Sequence, residues 1–153
     1  MSENCIFCKI VAGAIPATRV YEDGEVLAFM DIGPIVKGHT LVIPKAHHET
    51  LPELPPALLA RVMEAAQRIA AAQLAGLEAD GVNLHQATGA AAGQVVPHVH
   101  FHVIPRFNND GHRWNWAATR YRDPAEVQEL AGRIRAALGE GGVMEQRGRG
   151  VLE

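Results

Sequence analysis

The chain has 153 residues, 48% of them hydrophobic and only 5% aromatic, with a formal net charge of −3. This length suits one domain whose core is built from Val, Ile, Leu and Ala. A slightly acidic chain lacks the basic stripe of nucleic-acid-binding proteins, so we expect no nucleic-acid partner.

The N-terminal half of the chain reads as a short helix followed by three strands. The predicted elements are a helix at Cys5–Ala12 and strands at Arg19–Tyr21, Val26–Met30 and His39–Pro44. The polar residues between the first two strands predict a hairpin turn. The N-terminus shows no signal-peptide pattern, and no apolar run is long enough for a membrane span. We therefore expect a cytoplasmic protein that has no membrane partner and keeps its two cysteines reduced.

A long amphipathic helix is predicted at Ala57–Leu74. Pro55 and Pro56 suit its first turn, and Gly76 is expected to stop it. Its apolar side chains recur at steps of three and four residues. They are Leu58, Leu59, Val62, Ala65, Ala66 and Ile69.

The C-terminal half adds two strands and a final helix. The strands are predicted at Gly81–Ala87 and Val95–Pro105, and the helix runs from the N-cap Asp123 to about Leu138. Strands grouped around one long helix predict an α+β fold with an antiparallel sheet. We expect one domain over residues 1–138 and a flexible, Gly-rich tail over residues 139–153.

Three histidines alternate along the predicted fifth strand, at His98, His100 and His102. Alternate side chains share one face of a strand, so the imidazoles should lie roughly 6–7 Å apart there. A single buried histidine is usually a core residue, but three in strict alternation are hard to explain by packing. The pattern favours phosphate chemistry or a zinc site.

The segment Thr88–Gln94 directly precedes these histidines and has almost no side-chain bulk. Such a loop lets backbone N–H groups approach an anion closely. Taken alone it could be a flexible turn, but its position before the histidines favours an oxyanion cradle.

The run His98-Val99-His100-Phe101-His102-Val103-Ile104 resembles the His-φ-His-φ-His-φ-φ signature of the histidine triad (HIT) family. The resemblance covers nearly the whole chain, from Cys5–Ile10 through Gly38–Lys45 to Ile104–Arg106, and is to the bacterial, Hint-like branch. It implies a five-stranded antiparallel sheet with one long central helix and a C-terminal helix. It also implies a homodimer in which the sheet continues across a two-fold axis and the long helix packs against its mate.

The resemblance assigns catalytic roles to four histidines. His100 would attack the α-phosphorus of a nucleotide and form a nucleotidyl-histidine, which water would then hydrolyse. The carbonyl of His98 would fix the tautomer of His100, and His102 would contact the phosphate. His39 resembles the family's fourth histidine, although it could be an ordinary residue at the start of a strand.

The same resemblance outlines a site for a purine nucleotide such as AMP or GMP. Gly93, through its amide, and Gln94 would hold phosphate oxygens. Asp31 would accept hydrogen bonds from the ribose hydroxyls, although it could be a simple turn aspartate. The base would lie among apolar residues that could equally be core. They are Ile6, Phe7, Ile10, Phe29, Ile32 and Leu41.

Two positions depart from the family pattern. Ala87 stands where relatives often have Asn or Gln, and Val95 stands where many have Ser or Thr. Both departures remove a polar group near the bond that would be cleaved, which puts the substrate and its leaving group in doubt.

The pair Cys5-x-x-Cys8 is a weak metal signal by itself and could also be redox-active or two unconnected core thiols. Bacterial relatives bind zinc with such a pair, a histidine after Pro-Lys-x and the first triad histidine. By resemblance the ligands are Cys5, Cys8, His47 and His98, a closed structural set. His48 is adjacent but should point elsewhere, and no organic cofactor is expected.

Four functions are consistent with the sequence. The first is a purine nucleotide phosphoramidate hydrolase, and the second a dinucleoside polyphosphate hydrolase or a transferase that uses the same intermediate. The third is a nucleotide-binding protein with little turnover, and the fourth a plain zinc-binding module.

His85 and His112 are interpreted as surface or pocket-rim residues, and Trp114 and Trp116 as candidates for a dimer interface or the partner's pocket.

Overall fold

The computed structural model describes residues 4–113 and 117–138. Trp114, Trp116 and the predicted tail over residues 139–153 lie outside the described residues. The chain divides into two compact units, Met1–His112 and Arg113–Glu153. A single domain over residues 1–138 stays a prediction.

A five-stranded antiparallel sheet forms the centre of the first unit, with strand order β1-β2-β3-β5-β4. In chain order the elements are α1 (Ile6–Val11), β1 (Arg19–Glu22), β2 (Val26–Met30), β3 (Thr40–Pro44), α2 (Pro56–Gly76), β4 (Gly81–His85) and β5 (Phe101–Arg106). Short 3₁₀ turns lie at Leu51–Glu53 and Ala90–Ala92. The predicted α+β fold with an antiparallel sheet is confirmed.

Strands β2 and β3 are apolar and buried on both faces of the sheet. One set of side chains, including Val26, Ala28 and Val42, forms a core with α2. The alternate set, including Leu27 and Phe29, packs with α1. The sheet therefore lies between two helices, with α2 on one face and α1 on the other.

Helix α2 buries the apolar face that its periodicity predicts, and all six predicted residues contribute to the core with the sheet. The helix is slightly longer than predicted, because Gly76 is its last residue and not its stop. The amide of Leu77 still donates to the carbonyl oxygen of Gln73, which continues the helical hydrogen-bond pattern by one residue.

Gly38 lies at the tight entry to β3 with a φ of +101°. A Cβ atom there would be 2.6 Å from Leu77 Cδ1 and 2.9 Å from Pro105 Cγ. Only glycine combines this backbone conformation with such a close approach.

Two predicted strand boundaries were wrong by two residues or more. β5 begins at Phe101 and not at Val95. The amide of His98 donates to the carbonyl oxygen of Val96, and the amide of Val99 donates to that of His48. These bonds take His98 and Val99 out of the sheet ladder. β4 ends at His85 and not at Ala87. His98 and His100 therefore precede the strand, and only His102 belongs to it.

The second unit contains α3 (Pro124–Leu138). Asp123 Oδ1 accepts a hydrogen bond from the Glu126 amide at 2.9 Å, which confirms the predicted N-cap. Among the described residues, neither α2 nor any other helix is long and apolar enough to cross a membrane.

Candidate active site

A cavity of about 360 Å³ opens on the α1 face of the sheet and reaches His100 and His102. Its apolar lining contains every residue that was proposed for the base pocket: Ile6, Phe7, Ile10, Phe29, Ile32 and Leu41. Phe7 and Ile10 are almost fully buried and also belong to the α1 core, whereas Ile32 is fully exposed at the rim. The pocket wall and the core thus share residues.

His100 is buried, and its ring is fixed by a short hydrogen bond. Its Nδ1–H donates to the carbonyl oxygen of His98 at 2.6 Å, and the ring of Phe7 contacts it edge-on at a centroid distance of 5.2 Å. Burial lowers the pKa of His100 although the carbonyl bond opposes the shift. With the proton held on Nδ1, Nε2 carries the free lone pair.

His39 and His102 form a second imidazole pair, with His39 Nε2 2.9 Å from His102 Nδ1. The amide of Ile35 donates to His39 Nδ1 at 3.2 Å, so the proton of a neutral His39 resides on Nε2 and is donated to His102. His102 must then carry its own proton on Nε2. Burial lowers the pKa of His39 and lowers that of His102 to about 4, so both rings are neutral at pH 7.

Asp31 lies at the cavity beside this pair, with Oδ2 3.7 Å from His39 Nδ1. The lone pair of that nitrogen is already used by the Ile35 amide. Asp31 is therefore not a hydrogen-bond partner of a neutral His39. Its Oδ1 accepts from the Gly33 amide at 2.7 Å, which holds the carboxylate in place.

The segment Thr88–Gln94 is a turn stabilised by its own hydrogen bonds. Gln94 Oε1 accepts from the Gly89 amide at 2.7 Å, and its Nε2 donates to the carbonyl oxygen of Glu49 at 2.6 Å. The Gly93 amide donates to Ala90, and the φ of Gly93 is +94°. Both groups proposed for phosphate binding thus already have protein partners, and a ligand would have to share or exchange them.

A second cluster brings together the four predicted zinc ligands. His98 Nδ1 lies 3.5 Å from Cys5 Sγ, 3.7 Å from Cys8 Sγ and 3.3 Å from His47 Nδ1, and Cys8 Sγ lies 3.4 Å from His47 Nδ1. Tetrahedral zinc with these ligands requires separations of roughly 3.3–3.8 Å. The donor set fits zinc, and His48 is not part of it.

His98 connects the two sites. Its Nε2–H donates to the carbonyl oxygen of Pro44 at 2.8 Å, which turns the Nδ1 lone pair toward the thiols. Burial lowers the pKa of His98 to about 4, so the ring is neutral. The same residue supplies the carbonyl that orients His100.

His85, which the sequence indicates as a surface or pocket-rim residue, lies beside His102 in the fold. On β4 it is the direct partner of His102, and the two ring centroids are 5.6 Å apart. The register between β4 and β5 would have revealed this contact, but the sequence does not specify that register.

The HIT domain family model matches residues 12–109. The chain belongs to the HIT family. This HIT protein is 44% identical over 140 residues to the protein named hit of Bacillus subtilis, a match that covers 90% of the chain and 96% of that relative. A crystal structure of a Bacillus subtilis HIT-family member matches with a TM-score of 0.80 at 44% identity, over 86% of this chain and 95% of that one.

Relatives named for an activity or a metal are also similar to this HIT protein. An adenosine 5′-monophosphoramidase of Schizosaccharomyces pombe is 37% identical over 88% of the chain and 98% of that relative. An adenylylsulfatase of Arabidopsis thaliana is 41% identical over 72% of the chain and 56% of that relative. A zinc-bound histidine triad protein of Mycobacterium smegmatis has a TM-score of 0.67 at 42% identity, over 85% of the chain and 97% of its own.

Proposed function

We propose that this HIT protein is a purine nucleotide phosphoramidate hydrolase or nucleotidyl transferase that forms a covalent intermediate on His100. The observation that carries the proposal is the 2.6 Å hydrogen bond from His100 Nδ1 to the carbonyl oxygen of His98. It leaves Nε2 of a neutral, cavity-lining imidazole as the nucleophile.

The reaction takes two displacements at the α-phosphorus. The lone pair of His100 Nε2 forms a P–N bond while the bond to the leaving amine breaks, and the amine takes up a proton as it departs. The resulting imidazolium keeps its Nδ1–H on the carbonyl of His98. Water then forms a P–O bond, releases a proton and returns the electron pair to Nε2. An acceptor other than water would give the transferase reaction.

Neighbouring groups have roles that suit an anionic substrate. The Nε2–H of His102 is a donor for a phosphate oxygen, and the pairing with His39 keeps that proton in place. Asp31 would accept from the ribose hydroxyls, and the apolar wall around Phe7 and Ile10 would hold the base.

The names of two relatives support a nucleotide substrate. One is an adenosine 5′-monophosphoramidase and the other an adenylylsulfatase, and both names describe hydrolysis of an adenosine nucleotide derivative. A dinucleoside polyphosphate hydrolase would use the same nucleophile. A nucleotide-binding protein with little turnover would keep the cavity but accumulate no adduct.

Trapping the intermediate separates these functions. The protein is incubated with adenosine 5′-phosphoramidate, quenched rapidly and digested, and an AMP adduct on His100 is sought by mass spectrometry. We expect the adduct together with released AMP, and neither with His100→Asn. Turnover by His100→Asn at the wild-type rate would refute the mechanism. Diadenosine tetraphosphate as a parallel substrate ranks the two hydrolase activities.

We also propose a structural zinc ion held by Cys5, Cys8, His47 and His98. The cluster geometry fits the ion, and a zinc-bound relative is known from Mycobacterium smegmatis. When bound, zinc would tie α1 to the segment that carries His100, because Cys8 lies in α1 and His98 supplies the orienting carbonyl. Its role would be to hold geometry, since four protein ligands leave no open position.

We also propose a homodimer, because the unit Met1–His112 has an edge strand and exposed apolar side chains beside it. β4 is an edge strand of the sheet, Leu84 on it is 48% exposed, and Leu74 on α2 is 47% exposed. Pairing of β4 with the β4 strand of a second copy would give the backbone groups at this edge of the sheet hydrogen-bond partners. Sedimentation equilibrium should give twice the chain mass, and a monomer at micromolar concentration would refute the proposal.

A further inference from the structure

We propose that His85 is a specificity residue that favours anionic leaving groups on the nucleotide. This inference rests on the proposed function and extends the site from β5 to β4. It concerns a histidine that the family motif does not include.

The position of His85 follows from the strand register. Phe101 and Val103 face the α2 core, so His102 between them projects from the opposite face, where the cavity lies. Leu41 is the partner of His102 on β3, and His85 is its partner on β4. His85 is half-buried, and its ring lies 5.6 Å from the ring of His102 at an interplanar angle of 49°.

The order of the strands determines on which side of His102 the nucleoside and the leaving group would lie. Cavity residues on β2 and β3, such as Phe29 and Leu41, lie on one side of His102. A nucleoside held there places its α-phosphate at His100 and His102. The phosphorus substituent that points away from the nucleoside then lies toward β4, where His85 stands.

Other residues of this strand and its exit do not offer the same group. Between Gly81 and Thr88, His85 is the only ionisable residue. Ala87 is buried and apolar, and the Gln86 amide donates to the carbonyl oxygen of Ala87 at 2.9 Å and to Thr88 Oγ1 at 3.1 Å. His85 therefore supplies a polar group on the side that Ala87 leaves bare.

The chemistry of this group distinguishes two leaving groups. A departing amine must take up a proton, whereas sulfate leaves with the electron pair of its P–O bond and carries negative charge. An imidazole N–H donates to such oxygens whether the ring is neutral or protonated, and donation to an ionised acceptor is the stronger case. His85 should therefore lower the barrier for sulfate more than for an amine.

The test compares two substrates that share one nucleotide. We measure kcat/KM for adenylyl sulfate and for adenosine 5′-phosphoramidate with wild type and His85→Ala. We expect the value for adenylyl sulfate to fall about tenfold more than the value for the phosphoramidate, as for one lost charge-assisted hydrogen bond. Equal losses, or no loss, would overturn the inference.

Two further variants keep the test decisive. His85→Leu removes the N–H but fills the space, so the same change in the substrate ratio is expected if His85→Ala is unstable. His112→Ala removes an exposed histidine elsewhere and should leave the ratio unchanged. If wild type cleaves neither compound, the proposed function fails. Titration calorimetry then tests His85 separately: His85→Ala should raise Kd more for adenylyl sulfate than for adenosine 5′-phosphoramidate, and equal changes in the two Kd values would overturn the inference.

Discussion

His100 donates its Nδ1–H to the backbone carbonyl of His98, whose own ring faces two cysteines and a histidine. One residue thus sets the tautomer of the proposed nucleophile with its backbone and completes the proposed zinc site with its side chain. Because the two sites share a residue, a disturbance of the metal cluster should also reach the catalytic cavity.

Removal of the nucleophile is the first prediction. His100→Asn is expected to lower kcat for adenosine 5′-phosphoramidate at least about 10³-fold, because the covalent path is lost. Steady-state kinetics measures the loss, and circular dichroism verifies folding. His112→Ala is the matched histidine control and should keep the wild-type rate. A loss below tenfold in His100→Asn would contradict the assigned role.

Metal binding is tested with two adjacent histidines. His47→Ala should abolish stoichiometric zinc in the purified protein, whereas His48→Ala should retain it, because only His47 belongs to the cluster. Elemental analysis measures the metal content. Zinc that persists in His47→Ala would contradict the assigned ligand set.

The stability of the proposed zinc site gives a separate prediction. Cys8→Ser should lower the Tm by at least about 5 °C, since structural zinc contributes directly to folding free energy. A chelator should lower the Tm of wild type to the value of Cys8→Ser and leave the variant unchanged. An unaltered Tm in Cys8→Ser would refute the structural role.

The ribose contact is tested at Asp31. Asp31→Asn should raise KM for the adenosine substrate about tenfold, since an amide is a weaker acceptor than a carboxylate. Asn can still accept from the Gly33 amide, so the turn should be kept. The same variant should hardly change KM for the 2′,3′-dideoxy analogue of adenosine 5′-phosphoramidate, which has no ribose hydroxyls for Asp31 to accept from. Equal effects on both substrates would point to a structural role instead.

Gly38 is predicted to be intolerant of a side chain. Gly38→Ala should destabilise the fold by about 2–3 kcal/mol, because its φ is positive and a Cβ would meet Leu77 and Pro105. Urea denaturation measures the change. Gly24→Ala is the control, because a Cβ at Gly24 meets no atom within 4 Å. Similar stability of the two variants would refute the steric argument.

A pH-dependent contribution to stability is expected from Asp23 in the β1–β2 turn. The Tyr21 hydroxyl donates to this carboxylate at 2.7 Å, and with the turn amides it lowers the pKa of Asp23 to about 2. The folded-state pKa lies below the unfolded one, so the stabilisation is present above about pH 4 and lost as the pH falls through 2.

Asp23→Ala should therefore lower stability by about 1–2 kcal/mol at pH 7, the range for lost turn hydrogen bonds. The difference from wild type should shrink between about pH 4 and pH 2. Urea denaturation at several pH values measures it. A difference that is constant over this range would show that packing, and not the ionised carboxylate, stabilises the turn.

Local patterns in the sequence were sufficient for much of the fold. The apolar runs Val26–Met30 and Thr40–Pro44 became buried strands, and the periodicity of Ala57–Leu74 identified the buried face of α2. The alternating histidines identified the family, which the family match confirms. These features depend on residues a few positions apart, whose periodicity is set by backbone geometry.

Only the tertiary structure decided which partners each histidine contacts. Alternation predicted one shared face for His98, His100 and His102, and the ring contacts agree: Phe7 contacts the rings of His98 and His100, and the rings of His100 and His102 are 4.9 Å apart. Hydrogen bonds from the amides of His98 and Val99 nevertheless keep this segment out of the ladder, which begins at Phe101. The ring of His98 contacts Cys5, which is 93 positions away in the chain. Strand register likewise placed His85 beside His102. Such contacts depend on long-range closure and pairing, which no local pattern in the chain encodes.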